Sequence, residues 1–508
     1  MQSSIIKLYL YNTQTRDKEL FTPINEAAVR MYVCGPTIYD YIHLGNARPC
    51  IIFDILFRVL RAIYGDKNVF YVRNVTDVDD KITARARTEY ADRPILEAIE
   101  ILTQKTYDQF QNDVKLLGCL LPTKQPRARD HLADMHLLIE KLIETGHAYI
   151  NEEHVLFSVA SMDGAVPYGS LSKKKLEELV AGARVEVAPY KKGPMDFVLW
   201  KPSQPDEPSW DSPAGIQKRG RPGWHIECSA MSFSQLVVPF GGGLSVSDPL
   251  ANMFDIHAGG LDLIFPHHEN EIAQTCCALN TEKMANYWLH NGFLLVEDKK
   301  MSKSLGNFFT VREVLDRDLT VGPFKFLEKA LHPQCLGLAV RLAFLQTHYR
   351  SPFNWSNKRL HDSLEELGQW YKILAEKGFS YEPTAFPAAE LFSALCDDLN
   401  TPQYITGLRK AYKEKNVAVL GQGLVFLGLY DHNLFEKFLF STKNKIPDDS
   451  RLSVVVIEEK LKQRLAFLEE KNWAKADEIR EELKKLGIEL RDEKDKTSGV
   501  RRTKWFYH

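Results

Sequence analysis

From Met31 to Cys34 the chain runs apolar without a break (Met-Tyr-Val-Cys) and is stopped by Gly35-Pro36, which marks a short strand. After a brief loop, His43-Leu44-Gly45-Asn46 opens a segment with apolar residues at Ile51, Ile52, Ile55, Leu56, Val59, Leu60 and Ile63. Steps of three and four are the period of a helix. Val69-Phe70-Tyr71-Val72 then reads as a second strand. A strand, a helix and a strand form a βαβ unit, and its natural outcome is a parallel sheet.

Helical spacing continues over 95–117 and 129–145. From Tyr149 to Gly223 the pattern changes to short alternating runs, with prolines at 202, 205, 208 and 213. This stretch reads as a subdomain inserted into the sheet domain. The sheet pattern resumes at Phe254-Asp255-Ile256-His257 and ends in Ala258-Gly259-Gly260. A helix follows from about His267 to Leu279, then Tyr287-Trp288-Leu289-His290 and a lysine-rich loop. From about Val321 to the end the pattern is mostly helical. Trp473, Ala476, Ile479, Leu483 and Leu486 recur at three- and four-residue steps, and Gly487 stands at the C-cap position. Arg501, Arg502 and Lys504 beside Trp505-Phe506-Tyr507 make a basic, aromatic tail, open between an RNA-contacting surface and a frayed terminus. There is no internal repeat.

At 508 residues the chain needs several domains. No window approaches the ~18–20 apolar residues of a membrane span. The first residues lack a basic stretch followed by an apolar block, so no signal peptide and no membrane partner are expected, and the cytoplasm is the expected compartment. Eight scattered cysteines do not look like a disulfide framework and read as thiols, a subset of them metal ligands. A net charge of −2 excludes wholesale wrapping of nucleic acid but not a local basic surface.

Two short motifs carry chemistry. His43-Leu44-Gly45-Asn46 lies where a strand hands over to a helix; amides at such a start attract phosphate, and Gly45 removes a Cβ from its path. Lys300-Met301-Ser302-Lys303-Ser304 puts two lysines on a small-residue loop, which suits a clamp over pyrophosphate. Each alone fits a capped helix or a solvated turn. Together, in one sheet domain, they point to ATP and the activation of a carboxylate. This pair resembles the two signatures of class I aminoacyl-tRNA synthetases. The resemblance implies that His43, Asn46, Lys300 and Lys303 act in catalysis, and that Gly45, Gly259 and Asp262 join them around ATP, with Mg2+ accompanying the nucleotide.

Cys34 and Cys228 are separated by most of the sheet domain, whereas His267 and Glu271 stand four apart on the expected helix. Two thiolates, an imidazole and a carboxylate would suit tetrahedral zinc, but His268 could share the face of Glu271 as well as His267. The segments Cys34–Asp40, Asn74–Ile82, Gly223–Met231, Phe265–Glu271 and Asp397–Pro402 resemble bacterial cysteinyl-tRNA synthetases. That family implies zinc at the base of the amino-acid pocket, held by Cys34, Cys228, His267 and Glu271, with Thr76, Trp224, His225 and His257 about the substrate. Zinc prefers a soft thiolate to a serine hydroxyl, so a substrate–metal bond would sort cysteine where shape discriminates only modestly.

The expected architecture is therefore α/β. A Rossmann-type parallel-sheet catalytic domain occupies 1–128 and 223–325, with a connective subdomain inserted at 129–222. A helical region for the tRNA stem follows at 326–440, and an anticodon-binding region at 441–508. The expected activity is cysteine–tRNA ligation by a monomer, with ATP, L-cysteine and tRNA(Cys) as partners. Two departures stand out: residues 232–253 form an insertion expected to be a surface loop, and the likeness is expected to fade beyond about residue 410. The rival readings are a ligase joining cysteine to an amino-sugar, which would lack much of the C-terminal region, and an inactive RNA- or zinc-binding module.

Overall fold

The computed structural model describes residues 6–162, 166–174, 188–302, 305, 307–315, 333–380, 386–431, 454–469, 472–485, 488–494 and 501–507. The chain divides into two compact units, Met1–Leu439 and Phe440–His508. Among the described residues, no helix is long and apolar enough to cross a membrane.

Four parallel strands organise the first unit, in the spatial order Ala285–Asn291, Phe254–Gly260, Val29–Val33, Val69–Arg73. All five residues of Val29–Val33 are buried, as in a parallel sheet covered on both faces. Tyr32 lies beside His257 and Val33 beside Ala258, and the Cys34 amide continues the ladder to the Ala258 carbonyl at 3.0 Å. From Val29–Val33 the chain crosses to Val69–Arg73 on one side, while Phe254–Gly260 and Ala285–Asn291 extend the sheet on the other. The order thus reverses between Val29–Val33 and Phe254–Gly260. Open α/β sheets bind ligands beyond the carboxyl ends of such a pair.

The crossover helix Leu44–Tyr64 is locked in place by charge. Arg48, fully buried, donates to five carbonyls: Gly292 (2.6 Å), Phe293 (3.0 Å), His348 (3.4 Å), Tyr349 (3.2 Å) and Ser351 (2.7 Å). Asp54 pairs with Arg58 at 2.8 Å and with Arg341 of the helix Pro333–Leu345. Burial pushes the Asp54 carboxyl up, but the two guanidinium groups outweigh it and hold it below the usual carboxylate range. Sheet and helical region share one core.

The insertion contributes an antiparallel sheet, in the order Ala148–Asn151, His154–Phe157, Phe197–Pro202, Gly220–Pro222. It is tied to the catalytic helix Glu269–Leu279 by the Glu269 carboxylate, which accepts from the amides of Gly169 (2.9 Å), Leu171 (3.3 Å) and Ser172 (2.9 Å).

The helix expected from about His267 is entered through a kink at Phe265; His267 and His268 fill its wide first turn, which continues into Glu269–Leu279, and Pro266 stands at the start, where a missing N–H costs no helical bond. Two expectations need revision. Only the second half of 232–253 is a surface loop. Its first half extends the preceding helix and buries Phe233, Leu236 and Val237, with Arg30 donating to the Leu236 carbonyl at 2.7 Å. The chain also does not end in helix or a frayed tail. In the second unit, helices Val454–Glu469 and Trp473–Lys485 join Leu461, Ile479, Leu483 and Leu490 in a small core. Strand Arg501–Tyr507 then pairs antiparallel with Ile488–Lys494. Thr503, Trp505, Phe506 and Tyr507 are strand formers, a signal masked by the basic residues between them. Leu486 and Gly487 lie outside the described residues.

Candidate active site

His43 is the N-cap of the crossover helix. Its Nδ1 accepts the Asn46 amide at 3.2 Å, and Asn46 Oδ1 accepts the His43 amide at 3.4 Å, a reciprocal capping box. A Cβ on Gly45 would sit 2.9 Å from the His43 ring, so glycine is required here by the cap itself as well as by any ligand. Gly259 is likewise hemmed in: a Cβ there would lie 2.9 Å from the His268 ring. Asp262 is exposed in the turn Leu261–Leu263 that follows.

The lysine loop grows from a hairpin in which Leu294–Val296 pairs with Lys299–Lys300 through the left-handed Glu297 and Asp298. Lys300 is exposed. The stretch that follows the lysine-rich motif returns to the other motif, remote in sequence: the Leu44 amide donates to the Phe309 carbonyl at 3.1 Å, and the Val311 amide to the Ile42 carbonyl at 2.8 Å. Lys303 and Ser304 lie outside the described residues.

At the reversal point of the sheet, four donors converge. The ligand atoms of Cys34, Cys228, His267 and Glu271 all lie within 4.8 Å of one another, and all four residues are buried. Cys34 Sγ is 3.8 Å from Cys228 Sγ and 3.5 Å from Glu271 Oε1, while His267 Nε2 is 3.0 Å from the same oxygen. A second set, Cys34, His257, His268 and Glu271, meets the same distance limit. Each of its histidines has one ring nitrogen engaged and one, His257 Nδ1 and His268 Nε2, with no hydrogen-bond partner. His257 Nε2 holds the other carboxylate oxygen, Oε2, at 2.9 Å. His268 Nδ1 is hydrogen-bonded to His290 at 2.8 Å, and its Nε2 is 4.0 Å from Oε1. Spacing left His267 and His268 level; geometry places His267 nearer.

Electrostatics fit a cation. Burial pushes the Glu271 carboxyl up, yet His257 and His267 outweigh it and bring it down to about 2. The hydrogen bond from Cys34 is the main force lowering the Cys228 thiol to about 6, whereas burial drives Cys34 well above the usual thiol range. Two hydrogen-bonded sulfurs here face a carboxylate and an imidazole, a donor set a divalent ion can take.

Trp224 stacks on His267 with ring centres 4.2 Å apart, and His225 Nδ1 lies 2.9 Å from His267 Nδ1. Both line a cavity of about 770 Å³ that reaches the insertion, with Met195, Phe197, Asp79 and Asp80 on its wall. Thr76 and His257 are nearly or fully buried. Thr76 pairs through its backbone with Pro36 and Ile38, and its hydroxyl accepts from Asn74 at 3.4 Å. Sequence reasoning missed Asn74 as the latch of this loop: its Oδ1 accepts the Gly35 amide at 2.8 Å. A Cβ on Gly35 would fall 1.8 Å from the Asn74 carbonyl oxygen, so only glycine fits. It also missed His290 and Trp288, which support the cluster from the next strand, Trp288 by stacking on His257 at 4.4 Å. The Tyr287–His290 run carries no spacing that ties it to the cluster.

Against known families, residues 20–365 match the class I (C) tRNA synthetase catalytic domain, and residues 457–498 match the cysteinyl-tRNA ligase anticodon binding domain. The cysteine–tRNA ligases of Brucella ovis and Brucella canis are each 52% identical over 99% of this chain and 99% of their own. The chain belongs to the cysteine–tRNA ligase family. It is an ATP-dependent aminoacyl-tRNA ligase of class I with a C-terminal anticodon-binding domain. Among solved structures, methionyl-tRNA synthetase of Mycobacterium tuberculosis in complex with methionyl-adenylate aligns at 15% identity and a TM-score of 0.49, over 82% of this chain and 83% of that one. The expected fading of the likeness beyond residue 410 is overturned, because it persists through the C-terminal unit. That region is the one an amino-sugar ligase was expected to lack.

Proposed function

We propose that this cysteine–tRNA ligase forms cysteinyl-adenylate from L-cysteine and ATP, releasing pyrophosphate, and passes the cysteine to the 3′ end of tRNA(Cys), with zinc selecting the thiolate. The observation that carries the zinc assignment is the convergence of Cys34, Cys228, His267 and Glu271 within 4.8 Å. Such a donor set fits tetrahedral zinc, and zinc bound there would supply a soft Lewis acid that favours a thiolate over a hydroxyl.

The chain's own residues do the rest. His257 holds Glu271 from beneath, and His225 orients the His267 ring, so both act on the substrate through the ligands. Trp224 and Thr76 bound the amino-acid side. His43 spends Nδ1 on the cap, so phosphate would be met by Nε2, together with the Asn46 side-chain Nδ2, Lys300 and Lys303. Gly259 and Asp262 would border the adenosine, and Mg2+ would accompany ATP. The helical region 326–440 would bear on the tRNA stem and 441–508 on the anticodon. Paired thiolate ligands need a reducing compartment, which supports the cytoplasm.

The test is cysteine-dependent ATP–pyrophosphate exchange. Cysteine should drive exchange and serine should not, and Cys34→Ser should weaken cysteine binding far more than ATP binding. Equal stimulation by serine, or a Cys34→Ser enzyme with unchanged cysteine KM and zinc content, would refute zinc selection.

A further inference from the structure

We propose that Asn307 is a positioning residue for adenylate formation, its single side-chain amide bonding both Lys300 and Ser302 of the lysine-rich motif. Asn307 Oδ1 accepts the Ser302 amide at 2.9 Å, and Asn307 Nδ2 donates to the Lys300 carbonyl at 3.2 Å. The next residues run straight into the other ATP motif. The Phe308 ring meets the His43 ring edge-on at 5.1 Å, and the backbone pairs Leu44–Phe309 and Val311–Ile42 follow. Past them the chain is pinned by a cap in which Thr310 and Glu313 bond reciprocally, with the Glu313 amide on Thr310 Oγ1 at 3.1 Å and the Thr310 amide on Glu313 Oε2 at 2.8 Å. Lys300 is thus connected to His43 by one amide and one short strand pairing.

The side-chain type matters. An amide offers one acceptor and one donor in a single plane, as these two bonds require. Aspartate keeps the acceptor and turns the donor into a repulsion against the Lys300 carbonyl; alanine keeps neither. The loop's task on ATP is positioning, and a misplacement of about 1 Å can cost about 100-fold in rate. Asn307 is only half-buried, so its replacement opens no core. The inference rests on the reading that the lysine loop serves ATP.

The experiment uses the full-length enzyme and the variants Asn307→Ala, Asn307→Asp, Lys303→Ala and the Asn307→Ala/Lys303→Ala pair. It measures kcat and the ATP KM in pyrophosphate exchange, single-turnover transfer from preformed cysteinyl-adenylate to tRNA, and the melting temperature. Asn307→Ala should lower exchange kcat by about 10–100-fold, with Asn307→Asp between it and the parent. Transfer should hold within about twofold, and the double variant should fall little below Lys303→Ala, because residues acting through one loop are non-additive. Unchanged exchange in Asn307→Ala, fully additive losses, or exchange and transfer falling together with the melting temperature would each overturn the proposal. The two readings fail separately. If Lys303→Ala leaves exchange intact, the ATP reading of the loop fails; if Lys303→Ala is crippled while Asn307→Ala is not, only the role given to Asn307 fails.

Discussion

Replacing His257 by leucine should loosen the metal without touching it. His257 and Glu271 are both fully buried, and the 2.9 Å bond between Nε2 and Oε2 is the contact that fixes the carboxylate's far oxygen. Leucine fills similar space but offers no donor, and a buried acceptor left unpaired costs about 1–3 kcal/mol. The carboxyl, now held down to about 2, then moves up as burial acts with less opposition. A carboxylate depressed by its neighbours keeps its charge until pH falls through the folded value; raising that value brings proton competition closer to neutrality. With about 1.4 kcal/mol per tenfold, and losses of 10–100-fold typical of partners that orient metal ligands, zinc affinity should fall by about 10–100-fold. Retained zinc measured after dialysis against graded chelator reads the shift. His257→Gln, whose amide nitrogen can donate, should recover part of it, and ATP affinity should stay put in both. A chelator midpoint for His257→Leu within about twofold of the parent, or a glutamine variant no better than leucine, would refute the argument.

Two further outcomes follow from buried charges. Arg48→Lys offers at most three donors where the guanidinium serves five carbonyls, four of which keep a second donor, from Asn291, Phe353, Ser351 and the Gly292 amide; chemical denaturation should show a loss of about 1–3 kcal/mol, and a loss below about 0.5 kcal/mol would contradict the role given to Arg48. Burial pushes Asp113 up to about 6, the Arg312 guanidinium at 3.7 Å offsetting it only in part. Between the ordinary carboxyl value of about 3.9 and about 6, the folded chain keeps a proton the unfolded chain has lost, so stability falls as pH rises through that window. Asp113→Asn should therefore stabilise by about 1–2 kcal/mol at pH 7.5 and by almost nothing at pH 4, and equal effects at both pH values would remove the explanation.

Local periodicity revealed what is local. The run at Met31, the steps from Ile51 to Ile63 and the run at Val69 were enough for the βαβ unit, because each element's buried face is written in its own residues. Elements defined by a distant partner were harder. Phe353–Trp355, in a region read as helical, is a strand only because Leu294–Val296 lies parallel beside it. The difference between His267 and His268 lies in distance, 3.0 Å against 4.0 Å to Glu271 Oε1, which sequence spacing does not carry. The zinc set itself was suggested by resemblance, since Cys34 and Cys228 share no spacing that betrays a metal. Asn307 looked like an ordinary loop residue, and its two bonds appear only when the loop is folded back on itself.

The same reasoning explains why the ATP turn and the thiol cluster belong to one machine. Cys34 continues strand Val29–Val33, and the loop that follows runs to His43, so a single short segment carries one metal-ligand candidate and one phosphate-binding candidate. Asn74 clamps its beginning with a side-chain bond, Oδ1 accepting the Gly35 amide, and the segment Phe309–Val311 clamps its end by main-chain bonds to Leu44 and Ile42. The segment itself leaves a strand, Val29–Val33, that is paired on both sides in the parallel sheet. On the proposed reading, the side chains that would distinguish a thiol and those that would hold phosphate are therefore set on one tethered segment. Adenylate formation needs the substrate carboxylate and the α-phosphate held at a fixed separation, near-attack rather than merely nearby.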